Sequence, residues 1–190
     1  MNWFRLYSSL LVLGMLLSCQ PQDASFIVEA SHPDMDLVNG VLLFKKRPFN
    51  GTLNSYYTPS KLKAKTIYRN GKKEGLEVSW HPSGSVATNR FYSKGIKTGV
   101  HKGWWDHGRP KYVYHFNALG AYHGNIKEWY RNGGLFRDFN YEHGQEVGLQ
   151  QLRHLDGSIK ANYEVVNGER FGLIGLKKCF RVTTGSQQIK

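Results

Sequence analysis

From residue 37 onward the chain alternates between apolar and polar positions. Counted from Gly84, Gly108, Gly133 and Gly157, positions +2, +6 and +8 read Val86/Arg90/Tyr92, Pro110/Tyr114/Phe116, Leu135/Phe139/Tyr141 and Ile159/Tyr163/Val165. Asn89, Lys111, Asp138, Asn140, Lys160, Asn162 and Glu164 fall between them. Period two predicts strands with one apolar face, and Pro110 suits an edge or the start of a strand. Glycines keep the same register. A first set stands at Gly71, Gly95, Gly120, Gly144 and Gly168, and a second, four residues later, at Gly75, Gly99, Gly124, Gly148 and Gly172. The third set, nine residues on, is Gly84, Gly108, Gly133 and Gly157, each preceded at four residues by Trp80, Trp104, Trp129 or Arg153. The repeat is therefore 24 or 25 residues long. The third glycine closes a tight turn, as in Pro82-Ser83-Gly84, where positive φ is needed. The paired glycines are expected to bracket the opposite turn. The predicted fold is all-β: an elongated single-sheet array of antiparallel β-hairpin repeats over residues 37–178, each repeat advancing about 10 Å. Its Tyr, Phe and Trp columns are expected to stack as cross-strand ladders.

The ends read differently. The array opens at Val38-Asn39-Gly40, an Asn-Gly turn into a strand ending at Phe44, and Arg47 stands where later copies have the first glycine before Gly51. An atypical terminal repeat is usual where one side has no neighbour. Residues 19–36 are mostly polar with Pro21 and Pro33; they read as a tether with one short strand at Phe26-Ile27-Val28. Residues 179–190 read as a polar tail. Residues 1–18 carry Arg5 and an apolar run from Leu10 to Leu17, shorter than the ~20 residues that span a bilayer and suited to a secretory signal. The run ends in Leu16-Leu17-Ser18-Cys19, which resembles a bacterial lipobox. That resemblance implies that Cys19 is lipidated as the mature N-terminus, and Gln20 after it implies the outer membrane. Cys179 then lacks an internal partner and reads as a small packed hydrophobe.

A chain of 190 residues without a visible linker is one domain. With 26 Lys and Arg against 14 Asp and Glu, it attracts anionic surfaces such as lipid head groups, acidic glycans or acidic proteins. The expected envelope location leaves nucleic acid as the least suitable partner. The candidate cations are Lys61, Lys63, Lys65, Arg69, Lys72 and Lys73, then Lys94, Lys97 and Lys102, with Arg109 and Lys111 continuing the run. The competing reading is that lysines keep strand edges from pairing with other chains.

Enzyme chemistry finds little support. His81, His107, His123, His143 and His154 fall near turns at repeat spacing, about 10 Å apart and too far to share one ion. Neither HExxH nor CxxC occurs, and Gly71-Lys72-Lys73-Glu74-Gly75 lacks the Lys-Ser/Thr of a phosphate loop. Glu74, Asp106, Glu128 and Asp156 stand singly, without the proximity of an acid–base pair. No catalytic residue, metal or cofactor is expected.

The glycine register resembles the MORN repeats, in the bacterial variant with an antitoxin-like label: G-x-x-x-G-x-x-x-x-(Trp/Tyr)-x-x-x-G-x-(Leu/Ile/Val). Gly71…Gly75…Trp80…Gly84-x-Val86 and Gly120…Gly124…Trp129…Gly133-x-Leu135 match it. The copy at Gly95 ends in Pro110, and the copy at Gly144 lacks the aromatic. The resemblance covers about residues 38–178 and implies membrane or phospholipid contact and protein scaffolding. The label implies a toxin partner. The expectation is a non-enzymatic, lipid-anchored envelope protein whose array is a binding or scaffolding surface for proteins or anionic membrane components. The alternative is an antitoxin-like inhibitor that binds a toxin or effector.

Overall fold

The computed structural model describes residues 26–175. The signal segment 1–18, Cys19 and the tail with Cys179 lie outside the described residues. Sixteen strands follow in order: β1 (Ile27–Glu29), β2 (Met35–Val38), β3 (Val41–Phe44), β4 (Arg47–Pro48), β5 (Gly51–Thr58), β6 (Lys61–Arg69), β7 (Lys72–Trp80) and β8 (Val86–Ser93). They continue as β9 (Ile96–Trp104), β10 (Pro110–Phe116), β11 (Gly124–Trp129), β12 (Leu135–Glu142), β13 (Gln145–Glu146), β14 (Gly148–Arg153), β15 (Ile159–Val166) and β16 (Glu169–Leu173). From β5 to β16 each strand pairs with the next, β13 lying off this path against β12. The described residues are all-β, and from β5 onward they form an elongated single sheet of antiparallel hairpins, as the alternation predicts. At about 4.8 Å per strand it is roughly 50 Å long.

Two kinds of turn define its two long edges. On the loop edge, His81 N–H donates to Ser85 O and Gly84 N–H to His81 O, and the same pair of bonds recurs at Trp105–Arg109, Tyr130–Gly134 and His154–Ser158. On the tight edge, Asn70/Gly71, Lys94/Gly95, His143/Gly144 and Asn167/Gly168 all take positive φ, the two-residue turn that suits the twist of a hairpin. Here the structure corrects the expectation that each glycine pair brackets a turn. Only the first glycine is in the turn. Gly75 (φ 73°) and Gly99 (φ 64°) lie inside β7 and β9, where the register steps between Thr66 and Tyr68 and between Asn89 and Phe91. Each is a β-bulge in which the glycine-bearing strand carries two extra residues, which bends the strand and strengthens its twist.

A second bulge recurs beside the loop edge, with register steps at Ser79/Trp80, Glu128/Trp129 and Leu152/Arg153. It sets Val86 opposite Trp80 rather than in the row of Arg90 and Tyr92. Position +2 is thus removed from the apolar face expected of it, and Val86 and Ile159 are exposed.

The N-terminal end is also corrected. Residues 26–36 are not a tether: β1 pairs in parallel with β5, Ile27 opposite Thr52, and Val28 is buried. The Asn39-Gly40 turn joins β2 to β3, but β2, β3 and β4 form a separate three-stranded sheet. Lys45 and Lys46 supply its second positive-φ turn without glycine. Val28, Leu42 and Phe49 pack there with Met35, Phe44, Leu53 and Tyr68, closing that end of the array.

Candidate functional site

Residues in register share a face, and the sheet has two. On the front, Glu77, His101, Ile126 and Gln150 each stand two residues after a second-set glycine and expose 7%, 3%, 1% and 0%. A single sheet buries this row because its bulges curl the front face inward. The chemistry at each copy differs. Glu77 takes Lys73 and Arg90 as ion partners and a hydrogen bond from Thr66. His101 Nε2 lies 2.7 Å from Phe91 O. Gln150 accepts from Asn140 N–H and donates to Asn140 O. Phe91 and Asn140 are equivalent positions, so both side chains replace ladder hydrogen bonds that an irregular strand cannot make.

Rings pack beside this row: Tyr92 on His101, His101 on Phe116, Phe116 on Tyr122, Tyr122 on Tyr141, then Phe139 on Tyr163. This ladder replaces the expected Trp column. Trp80, Trp104 and Trp129 form no ring pair with one another among the described residues; their carbonyls serve instead. Tyr57 and Trp105 donate to Trp80 O and Trp129 O, His81 Nε2 meets Trp104 O at 2.9 Å, and Tyr130 donates to Arg153 O. These rungs tie each loop to the next repeat. Burial raises the Tyr114 and Tyr163 hydroxyls, aided by Glu128 and Glu146 respectively, and Tyr163 reaches about 12.

The nine candidate cations do not form one patch. Lys73 and Lys97 lie on the front over Tyr92 and Phe116, and Lys73 is held by Glu77. Lys94 is the first residue of one tight-edge turn, and Lys72 follows another. Lys61, Lys63, Lys65 and Arg69 occupy the exposed alternate positions of β6. Lys65, Val78, Asn89 and Lys102 fall opposite one another across β6 to β9, so these cations share the back face. Between them lie Ile67 and Phe91, exposed at 37% and 42%, with Leu76 paired to Phe91. Among the described residues, no carboxylate pairs with Lys61, Lys63, Lys65, Arg69 or Lys102.

A feature that no motif announces lies at the loop edge. A groove of about 840 Å³ runs between neighbouring loops, lined chiefly by Trp105, Tyr112, Tyr114, Tyr130 and Phe136, with Glu128 on its polar side. Lys111 sits 4.5 Å over the Trp105 ring. Hydrogen bonds from Arg131 and then His107 hold Asp106 at about 2. Its five aromatic side chains come from four different repeat positions, so no single column of the repeat contains it.

The histidines are nearer than expected in one place: the His123 and His143 rings are 5.1 Å apart, because adjacent turns of the tight edge stack. No group of three metal-ligating side chains occurs among the described residues. No helix among them is long and apolar enough to cross a membrane. No family model matches the chain, and no curated protein shows significant similarity to it.

Proposed function

We propose that this protein is a non-enzymatic, lipid-anchored envelope component whose hairpin array is a binding surface, with its back face turned to an anionic membrane component. The observation that carries the reading is the company kept by the back-face cations. Lys63, Lys65, Arg69 and Lys102 surround the exposed Ile67 and Phe91. Cations attract head groups, and apolar side chains at the same place enter the interface beneath them. A lipid on Cys19 supplies a second anchor, as stable attachment needs two signals. The resemblance to MORN repeats points to the same class of partner.

Flotation of the chain from Gln20 to Lys190 with vesicles tests this. It binds vesicles containing phosphatidylglycerol and leaves neutral ones. Lys65→Ala and Lys102→Ala each weaken binding about fivefold, from about 1 kcal/mol per cation, and high salt abolishes it. Equal binding to neutral vesicles rules the reading out. The anchor is tested separately: the full chain expressed in bacteria incorporates labelled fatty acid, and its Cys19→Ser variant does not.

A further inference from the structure

The two ends of the sheet are not alike. At the N-terminal end the edge strand is the three-residue β1, whose Val28 is buried against Leu42 and Phe49. The small sheet of β2 to β4 is tied to the neighbouring turn by Leu42 N–H donating to Gly71 O and Gly71 N–H to Phe49 O. At the other end, all five residues of β16 are exposed, and among the described residues no strand pairs with its outer edge. Ile174 stands two residues after Gly172, the place of Glu77, His101, Ile126 and Gln150. Those four expose at most 7%, whereas Ile174 exposes 43%. Phe171 and Leu173 are each 55% exposed. The column that four earlier copies bury is, among the described residues, uncovered here, and half the backbone polar groups of β16 face outward.

The sequence that follows is poorly suited to cover it. In earlier copies the covering strand carries Arg90/Tyr92, Tyr114/Phe116, Phe139/Tyr141 or Tyr163/Val165 at positions +6 and +8. Counted in the same way from Arg181, nine residues after Gly172, those positions hold Gln187 and Ile189, with Gly185 inside the would-be strand. Neither aromatic is present, and an interior glycine weakens a strand.

We propose that β16 pairs in antiparallel fashion with β16 of a second copy of this chain, about a two-fold axis at Gly172. This register sets Phe171 opposite Leu173 of the second copy, twice over, on the back face. Arg170, already anchored by Glu146 at 2.9 Å, lays its stem against Ile174 of the second copy. Because the same edge is used on both copies, the association is isologous and closes as a dimer rather than growing into a fibre.

Sedimentation equilibrium of the full chain in density-matched detergent tests this. The expected species has twice the mass of the chain and dissociates on dilution. Phe171→Lys weakens the dimer by about tenfold through loss of two cross-strand pairs. Adding Leu173→Glu sets Lys opposite Glu across the axis and restores it, a rescue that a misfolded strand would not give. A monomeric parent overturns the proposal, above all one whose β16 amides resist exchange, since residues 176–190 would then cover the edge. A dimer insensitive to Phe171→Lys overturns it equally.

Discussion

At the scale of single residues, His101 and Gln150 use different atoms for one task. Each reaches the backbone of the preceding strand at equivalent positions, Phe91 and Asn140. Burial lowers the His101 pKa below its ordinary value, with Arg90 and Lys97 lowering it further against the opposing Phe91 hydrogen bond and Glu77. The folded chain therefore takes up this proton at lower pH than the unfolded chain. Between the depressed folded value and about 6.5 the unfolded state binds more protons, so stability rises with pH. This contribution is complete above about 6.5 and is lost as pH falls. His101→Gln keeps a side chain that already serves at the equivalent position and removes the titration. Its melting temperature is expected to fall less than that of the parent between pH 7.5 and 5.5, as thermal unfolding monitored by circular dichroism will show. His101→Ala leaves the Phe91 carbonyl without its partner and costs about 1–3 kcal/mol at neutral pH.

At the scale of the element, two glycines that look alike in sequence stand in different surroundings. Gly71 and Gly84 both have positive φ, 72° and 90°. A Cβ on Gly84 meets nothing within 4 Å, whereas one on Gly71 falls 2.4 Å from Val41 Cγ1 and 2.6 Å from Leu42 O. Gly84→Ala is expected to cost only the backbone strain, about 1–2 kcal/mol. Gly71→Ala costs that and also pushes the cap sheet off its turn, so urea denaturation should show the larger loss there. Sequence made the strands legible because burial of one face imposes period two, and it made the turns legible because positive φ favours glycine. It did not separate Gly71 from Gly75, since a turn glycine and a bulge glycine satisfy the same constraint on φ. The one-residue bulges beside the loop edge also change the parity of the strands, which moved Val86 off the apolar face. The buried row stayed hidden because Glu, His, Ile and Gln share no chemistry; curvature makes them a set. The groove at Trp105 and Tyr130 was equally invisible, being built across columns. The clustering of cations was only partly legible: alternation along β6 puts four on one face, while cross-strand register decides that Lys102 joins them.

At the scale of the whole molecule, a single layer with sequential pairing means that each repeat is supported only by its neighbours. Such an array behaves as a row of coupled units rather than one globule. Ile126 sits at the middle of that row, 1% exposed, between His101 and Gln150 of the repeats on either side. Ile126→Ala removes about 2–5 kcal/mol from this one unit, enough to uncouple the halves it joins. Urea unfolding of the parent is expected to be a single transition, because the units share their interfaces. In Ile126→Ala, amides of β10, β11 and β12 should exchange first, while β5, β6 and β7, held by the N-terminal cap, keep their protection. Hydrogen exchange followed strand by strand distinguishes this from the globular case. A uniform loss of protection from β5 to β16 would mean that the sheet opens as one cooperative body, and that the front-face aromatic ladder couples the repeats more strongly than nearest-neighbour pairing does.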